Sequence, residues 1–139
     1  MFREKTSKSE TGRIGEDLAC QYLIGKGYRI LERNYWKPWG EIDIVAVAKT
    51  NTLVFVEVKT LKGNSSTDIL TQAGLLPEDH LTSSKLQKLQ RICRGFVANR
   101  PELVREDRGW QIDLVAVIAP VCMDNPDVKN CAVQHYENI

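Results

Sequence analysis

Three charged residues interrupt two otherwise apolar segments. Residues 41–48, EIDIVAVA, carry Asp43, and residues 53–60, LVFVEVKT, carry Glu57 and Lys59. Both segments are rich in Val and Ile. The polar link Lys49-Thr50-Asn51-Thr52 between them predicts a β-hairpin. Strand residues two apart share a face, so Glu57 and Lys59 point the same way and Glu41 shares the face of Asp43. Charges are seldom buried in Val-rich strands unless they are paired or bind metal. Carboxylate oxygens on adjacent strands suit Mg²⁺ or Mn²⁺. Such an ion polarises a phosphate and lowers the pKa of a bound water, and a neighbouring lysine orients that water or steadies phosphate charge. The spacing fits a salt-bridged strand end, with Lys59 neutralising Glu57, equally well.

Further candidates come from two helices. Residues 9–25 read as a helix capped by Ser9 or Thr11, with an apolar stripe through Ile14, Leu18 and Tyr22. Glu16 falls on a line with Gly12, Ala19 and Leu23, and the small residues there let the helix approach a sheet, so Glu16 leans toward the same carboxylates. An ordinary boundary glutamate is the alternative. Asp17 falls on the solvent side. Residues 83–98 read as a second helix, capped by Ser83 or Ser84. Leu86, Leu89, Ile92, Cys93 and Phe96 share its apolar face, and Lys88, Arg91 and Arg94 cluster opposite. That basic stripe is either a phosphate contact or a solvated face. Lys85 falls on the apolar side and reaches toward the carboxylates or a phosphate. Tyr35, Trp36 and Trp39 flank Lys37; aromatics among basic residues stack on unpaired bases or plug a turn. Asp113 is either a fourth acidic member of the site or a partner for an arginine, and the structural reading is preferred.

The frame for these residues is short. Residues 28–34 predict a strand, 36–40 a turn, and 110–118 a buried strand, with a last strand near 131–136. Residues 61–81 are rich in Gly, Ser and Asn and are read as a mobile loop, since long irregular stretches are functional or mobile. The order α-β-β-β-α-β predicts an α/β fold, a mixed sheet with flanking helices, in one domain over 1–139. The 139 residues are 42% hydrophobic and 27% charged, which excludes disordered and fibrous classes. No apolar run reaches membrane-spanning length, and the polar N-terminus lacks a signal-like segment, so the expectation is a cytoplasmic protein. Four scattered cysteines form no CxxC pair and read as reduced thiols. Net charge is +1, with basic residues concentrated in 1–40 and 61–100 and acidic ones after 101, so a polyanion must be met locally.

With these residues in place, the chain resembles the bacterial YraN-type family of uncharacterised proteins (UPF0102). That family is similar to archaeal Holliday junction resolvases of the PD-(D/E)xK nuclease superfamily. The resemblance covers roughly 9–60 and 83–138. It rests on G-x-x-G-E at Gly12 to Glu16, Gly27-Tyr28, Gly40-Glu41-Ile42-Asp43, Phe55-Val56-Glu57-Val58-Lys59, Ile112-Asp113-Leu114-Val115 and His135-x-Glu137-Asn138. It implies a restriction-endonuclease-like core, with Asp43, Glu57 and Glu16 as ligands of Mg²⁺ or Mn²⁺ and Lys59 as the catalytic lysine. Glu41 and Lys85 match supporting positions. The chain departs from the family at Thr60-Leu61, where an arginine is common, in the 61–81 loop, and at its C-terminus.

The reading that follows is a metal-dependent endonuclease-like protein acting on branched, single-stranded or duplex DNA. Lys37, Lys88, Arg91 and Arg94 are its candidate DNA contacts, and resolvase-like action calls for a homodimer. Two rivals remain: a nucleic-acid-binding module that does not cut, and a structural or adaptor domain whose carboxylates only form salt bridges.

Overall fold

A computed structural model of the protein describes residues 8–63, 81–120 and 131–139. The elements are α1 (Glu10–Gly25), β1 (Arg29–Lys37), β2 (Gly40–Val47), β3 (Leu53–Gly63), α2 (Ser83–Asn99), a 3₁₀ turn (Pro101–Leu103), β4 (Trp110–Pro120) and β5 (Ala132–Tyr136). The five strands form one sheet in the order β1-β2-β3-β4-β5. β3 and β4 are parallel and the other pairs antiparallel. A parallel pair needs a crossover, and α2 lies within the connection between β3 and β4.

The predicted mixed α/β sheet is therefore present, with the fifth strand completing it. Three boundaries differ from expectation. β1 runs on to Lys37 and leaves only Pro38-Trp39 as the turn. β3 continues through 61–63, because its backbone pairs with Ile118–Pro120 of β4. The remainder of the expected loop, 64–80, lies outside the described residues. The second helix is capped by Thr82, whose hydroxyl accepts the Lys85 N–H at 3.3 Å, rather than by Ser83 or Ser84.

Two apolar clusters sandwich the sheet. Leu18, Ala19 and Leu23 of α1 pack on Ile44, Val54, Val56, Val115 and Val117. Leu89, Ile92 and Phe96 of α2 pack on Ile42, Val45, Phe55 and Ile112. Each fully buried aliphatic or aromatic side chain contributes about 1.5–3 kcal/mol, so these clusters hold both helices in fixed registers. Alternating faces explain most of the pattern, with Val54 and Val56 toward α1 and Phe55 toward α2. Ile42 and Ile44 break it. They are two apart yet pack on opposite helices, so the strand rotates at Asp43. Asn34, which lies across from Asp43 in the β1–β2 register, has a left-handed backbone with φ 56°. Asn tolerates that conformation better than most residues, and it lets both strands turn together.

Among the described residues, no helix is long and apolar enough to cross a membrane.

Candidate functional site

The strand rotation is what builds the site. The β2–β3 ladder runs as far as Ile44–Val56. Beyond it the Asp43 side chain replaces a backbone partner, its Oδ2 accepting the Val58 N–H at 2.8 Å. Asp43 is thereby pinned, 6% exposed, where β2 and β3 part. The expectation that Glu41 and Asp43 share a face by simple alternation does not hold across this rotation. Glu41 nevertheless reaches the same neighbourhood, since its charge acts on Glu57.

Glu16 arrives from α1. Ser9 caps that helix, its hydroxyl accepting the Gly12 N–H at 3.1 Å. The close approach to the sheet occurs at Gly15 rather than Gly12. A Cβ on Gly15 would lie 1.8 Å from Thr60 Oγ1, whereas one on Gly12 would meet only Ser9 and Lys8 side chains. With α1 seated this closely, the adjacent Glu16 is 2% exposed and aimed at Asp43. Asp17 faces solvent, as expected, and pairs with Arg33 at 2.8 Å.

Sequence reasoning missed Lys8. Its Nζ contacts Glu16 Oε2 and lies 2.6 Å from Asp43 Oδ1, bridging the two carboxylates. Arg33 adds a longer contact, 3.7 Å, to Glu16 Oε1. That oxygen is buried and has no hydrogen bond among the described residues. Burial pushes the Glu16 carboxyl up, the Lys8 hydrogen bond opposes this, and the Asp43 charge adds to the rise. Burial alone would lower the Lys8 pKa, but Asp43 and Glu16 outweigh it, so the ammonium is held more firmly charged than usual.

Glu57 sits on the other face of the sheet, toward α2. Burial and then the Asp43 charge raise its carboxyl from 4.5 to about 8; Glu41 adds to the rise, and Lys8 and Lys85 oppose it. It lines a cleft of about 540 Å³ between the β1–β2 turn and α2. Lys85, Lys88 and Arg91 line the α2 wall, and Pro38, Trp39 and Gly40 line the wall opposite. Lys88 and Arg91 thus border the carboxylates instead of facing away from them, while Arg94 is exposed and outside the cleft lining. Lys37 lies over the Tyr35 ring, 5.4 Å from its centroid, rather than in the cleft. Lys59 is exposed on the Glu57 face of β3, and no ion pair or hydrogen bond involves its side chain among the described residues. Cys93 is a buried free thiol of α2, its pKa pushed up by burial and then by Glu57.

Asp43, Glu57 and Glu16 are hard oxygen donors of the kind a divalent cation takes, but among the described residues their ligand atoms do not all lie within 4.8 Å of one another. Glu16 Oε1 is a buried acceptor still lacking a hydrogen bond, and a cationic ammonium already bridges two of the three groups. Such a cluster requires positive charge to offset the desolvation of its carboxylates.

A second polar group lies on the α1 face. Asp113, 0% exposed, accepts from Gln111 Nε2 at 2.8 Å and from the Asn138 N–H at 2.9 Å through Oδ1. Its Oδ2 is 2.7 Å from His135 Nε2, and His135 Nδ1 is 3.2 Å from the Tyr22 hydroxyl. Glu137 stands close enough to complete a three-ligand set with Asp113 and His135, their ligand atoms within 4.8 Å of one another. Both Asp113 oxygens and both His135 nitrogens are already engaged, so this chain of bonds ties the C-terminal strand to β4 and α1. The ion-pair partner of Asp113 is His135 rather than an arginine.

The model of the uncharacterised protein family UPF0102 matches residues 15–117, which include Glu16, Asp43, Glu57 and Lys59. A UPF0102 protein of Corynebacterium efficiens is 30% identical over 97% of this chain and 95% of its own length. One from Chlorobium limicola is 34% identical over 90% of this chain and 87% of its own. A third, from Trichodesmium erythraeum, is 38% identical over 79% of this chain, a match that spans 63% of that longer protein.

Proposed function

Because the chain belongs to the UPF0102 family, which carries no activity in its description, we propose a function from the site itself: divalent-metal-dependent hydrolysis of phosphodiester bonds in DNA, on a PD-(D/E)xK-like core. The observation that carries this reading is the Asp43 carboxylate pinned where β2 and β3 part, its charge acting on Glu16 of α1 and on Glu57 across the sheet, beside a cleft walled by Lys85, Lys88 and Arg91.

Asp43, Glu57 and Glu16 would hold Mg²⁺ or Mn²⁺. Such an ion supplies Lewis-acid activation of the phosphate and of water. The Val58 N–H fixes the Asp43 carboxylate in place, and Gly15 sets the distance of Glu16. Lys85, Lys88 and Arg91 offer fixed positive charge to the phosphates that flank the reacting one. Lys59, exposed on the Glu57 face of β3, would steady the developing charge on the phosphate. Lys8 neutralises Glu16 and Asp43, the position a bound cation would take over.

The test is cleavage of labelled single-stranded, duplex and four-way-junction DNA in Mn²⁺, with EDTA and Glu57→Ala as controls. Cutting that disappears in both controls is the expected result. A folded protein that binds these DNAs and cuts none overturns the hydrolytic reading in favour of a binding module.

A further inference from the structure

We propose that Trp39 is a stacking platform for an unpaired base, so that the DNA taken up by the cleft is single-stranded at that point. The inference rests on the nucleic-acid reading above and narrows its substrate class.

Trp39 is 47% exposed, one of two large hydrophobic side chains left exposed among the described residues. It forms the tip of the two-residue turn between β1 and β2, behind Pro38. Proline fixes the backbone before it. Gly40 anchors the turn behind it, since a Cβ there would touch the Ile92 side chain at 3.5 Å and so lies in ordinary contact with α2. The indole is therefore held on a rigid rim rather than on a wandering loop.

The cleft supplies the rest of the recognition. Trp39 lines one wall, Lys85, Lys88 and Arg91 line the other, and Glu57 lies between them. A strand running along the basic wall would turn its bases toward the indole and carry its backbone past the carboxylates. A volume of about 540 Å³ suits an occupant of nucleotide size and is far too small for a double helix. Duplex bases also hide their faces in the stack, so an aromatic rim engages an unpaired base or none. A protein partner would find an apolar tip facing three cations and a carboxylate, a poor match for a hydrophobic anchor.

Stacking of one base on an aromatic side chain changes affinity about 5- to 150-fold. The experiment uses the full chain carrying Glu57→Gln, so that strands stay intact, with Trp39→Ala and Trp39→Phe added. Each protein is titrated in Ca²⁺ buffer into an oligodeoxynucleotide containing 2-aminopurine, either single-stranded or in a blunt duplex. The expected result is quenching and tighter binding on the single strand, a loss of affinity within that range for Trp39→Ala, and retention by Trp39→Phe. Equal affinity for duplex and single strand, no binding to either, or undiminished single-strand binding by Trp39→Ala overturns the proposal. Mn²⁺-dependent cleavage of duplex DNA alone would leave the nuclease reading standing without this one. Trp39-dependent single-strand binding by a chain that never cuts would leave this one standing without hydrolysis.

Discussion

Glu57→Gln should make the protein more stable, and only at neutral to alkaline pH. In the native state burial and the Asp43 charge raise the Glu57 carboxyl from 4.5 to about 8. Between those values the folded protein keeps a proton that the unfolded chain has lost. The folded state then binds more protons, and stability falls as pH rises through this window. Below 4.5 both states are protonated and the penalty vanishes; above about 8 it levels off. At about 1.4 kcal/mol per pH unit the full displacement corresponds to several kcal/mol. Glu57 keeps partial access to water, which screens its field, so about 1–3 kcal/mol is the expected size. Glutamine copies the neutral acid without titrating. Urea unfolding in EDTA at pH 4 and 8.5 provides the comparison. Wild type and Glu57→Gln should match at the lower pH, and the variant should lead by that margin at the higher one. Burial raises Glu16 in the same direction, so the wild-type slope contains both groups and the difference between proteins isolates Glu57. A variant no more stable than wild type at pH 8.5, or a gap that does not change with pH, would refute the placement of Glu57 among negative neighbours.

Other perturbations probe the supports. Lys8→Ala leaves Glu16 and Asp43 without their bridging ammonium and should cost about 1–3 kcal/mol in metal-free buffer. Mn²⁺ at a hundredfold above its Kd should return roughly 2.7 kcal/mol, read from urea midpoints with and without the ion. Gly15→Ala drives a methyl into Thr60 and should cost about 1–3 kcal/mol or more, with Thr60→Gly in the same chain restoring part of the loss. A wild-type midpoint in Gly15→Ala would contradict the close seating of α1. Asp113→Ala strands the Gln111, Asn138 and His135 donors and should cost about 3 kcal/mol. A double-mutant cycle with His135→Ala should show coupling between the two positions.

The parts of this fold legible in the sequence are those governed by local pattern. The Val-rich runs around Asp43 and Glu57 form the expected antiparallel pair, and the 3.6-residue stripe of α1 places Leu18, Ala19 and Leu23 on the sheet. Glu16 follows from that stripe. What was not legible depends on contacts between distant segments. Lys8 precedes the helix cap in a polar stretch without periodicity, so nothing local marks its meeting with Asp43, 35 residues away. The strand rotation at Asp43 defeats simple alternation; its trace in the sequence is Asn34, a residue type suited to positive φ. Lys88 and Arg91 looked like an outer stripe because helix periodicity gives relative angles but not where the adjoining turn ends. The bond between Asp113 and His135 required the β4–β5 register, which composition does not supply.

The central claim is that Glu16, Asp43 and Glu57 form a divalent-cation site. Titration of the folded protein with Mn²⁺, followed by loss of the free-ion signal in electron paramagnetic resonance, tests it most directly. Wild type should bind one ion, Asp43→Asn should lose it, and Lys8→Ala should bind it more tightly because the competing ammonium is gone. Mn²⁺ binding undiminished by Asp43→Asn, or none by folded wild type, would contradict the claim.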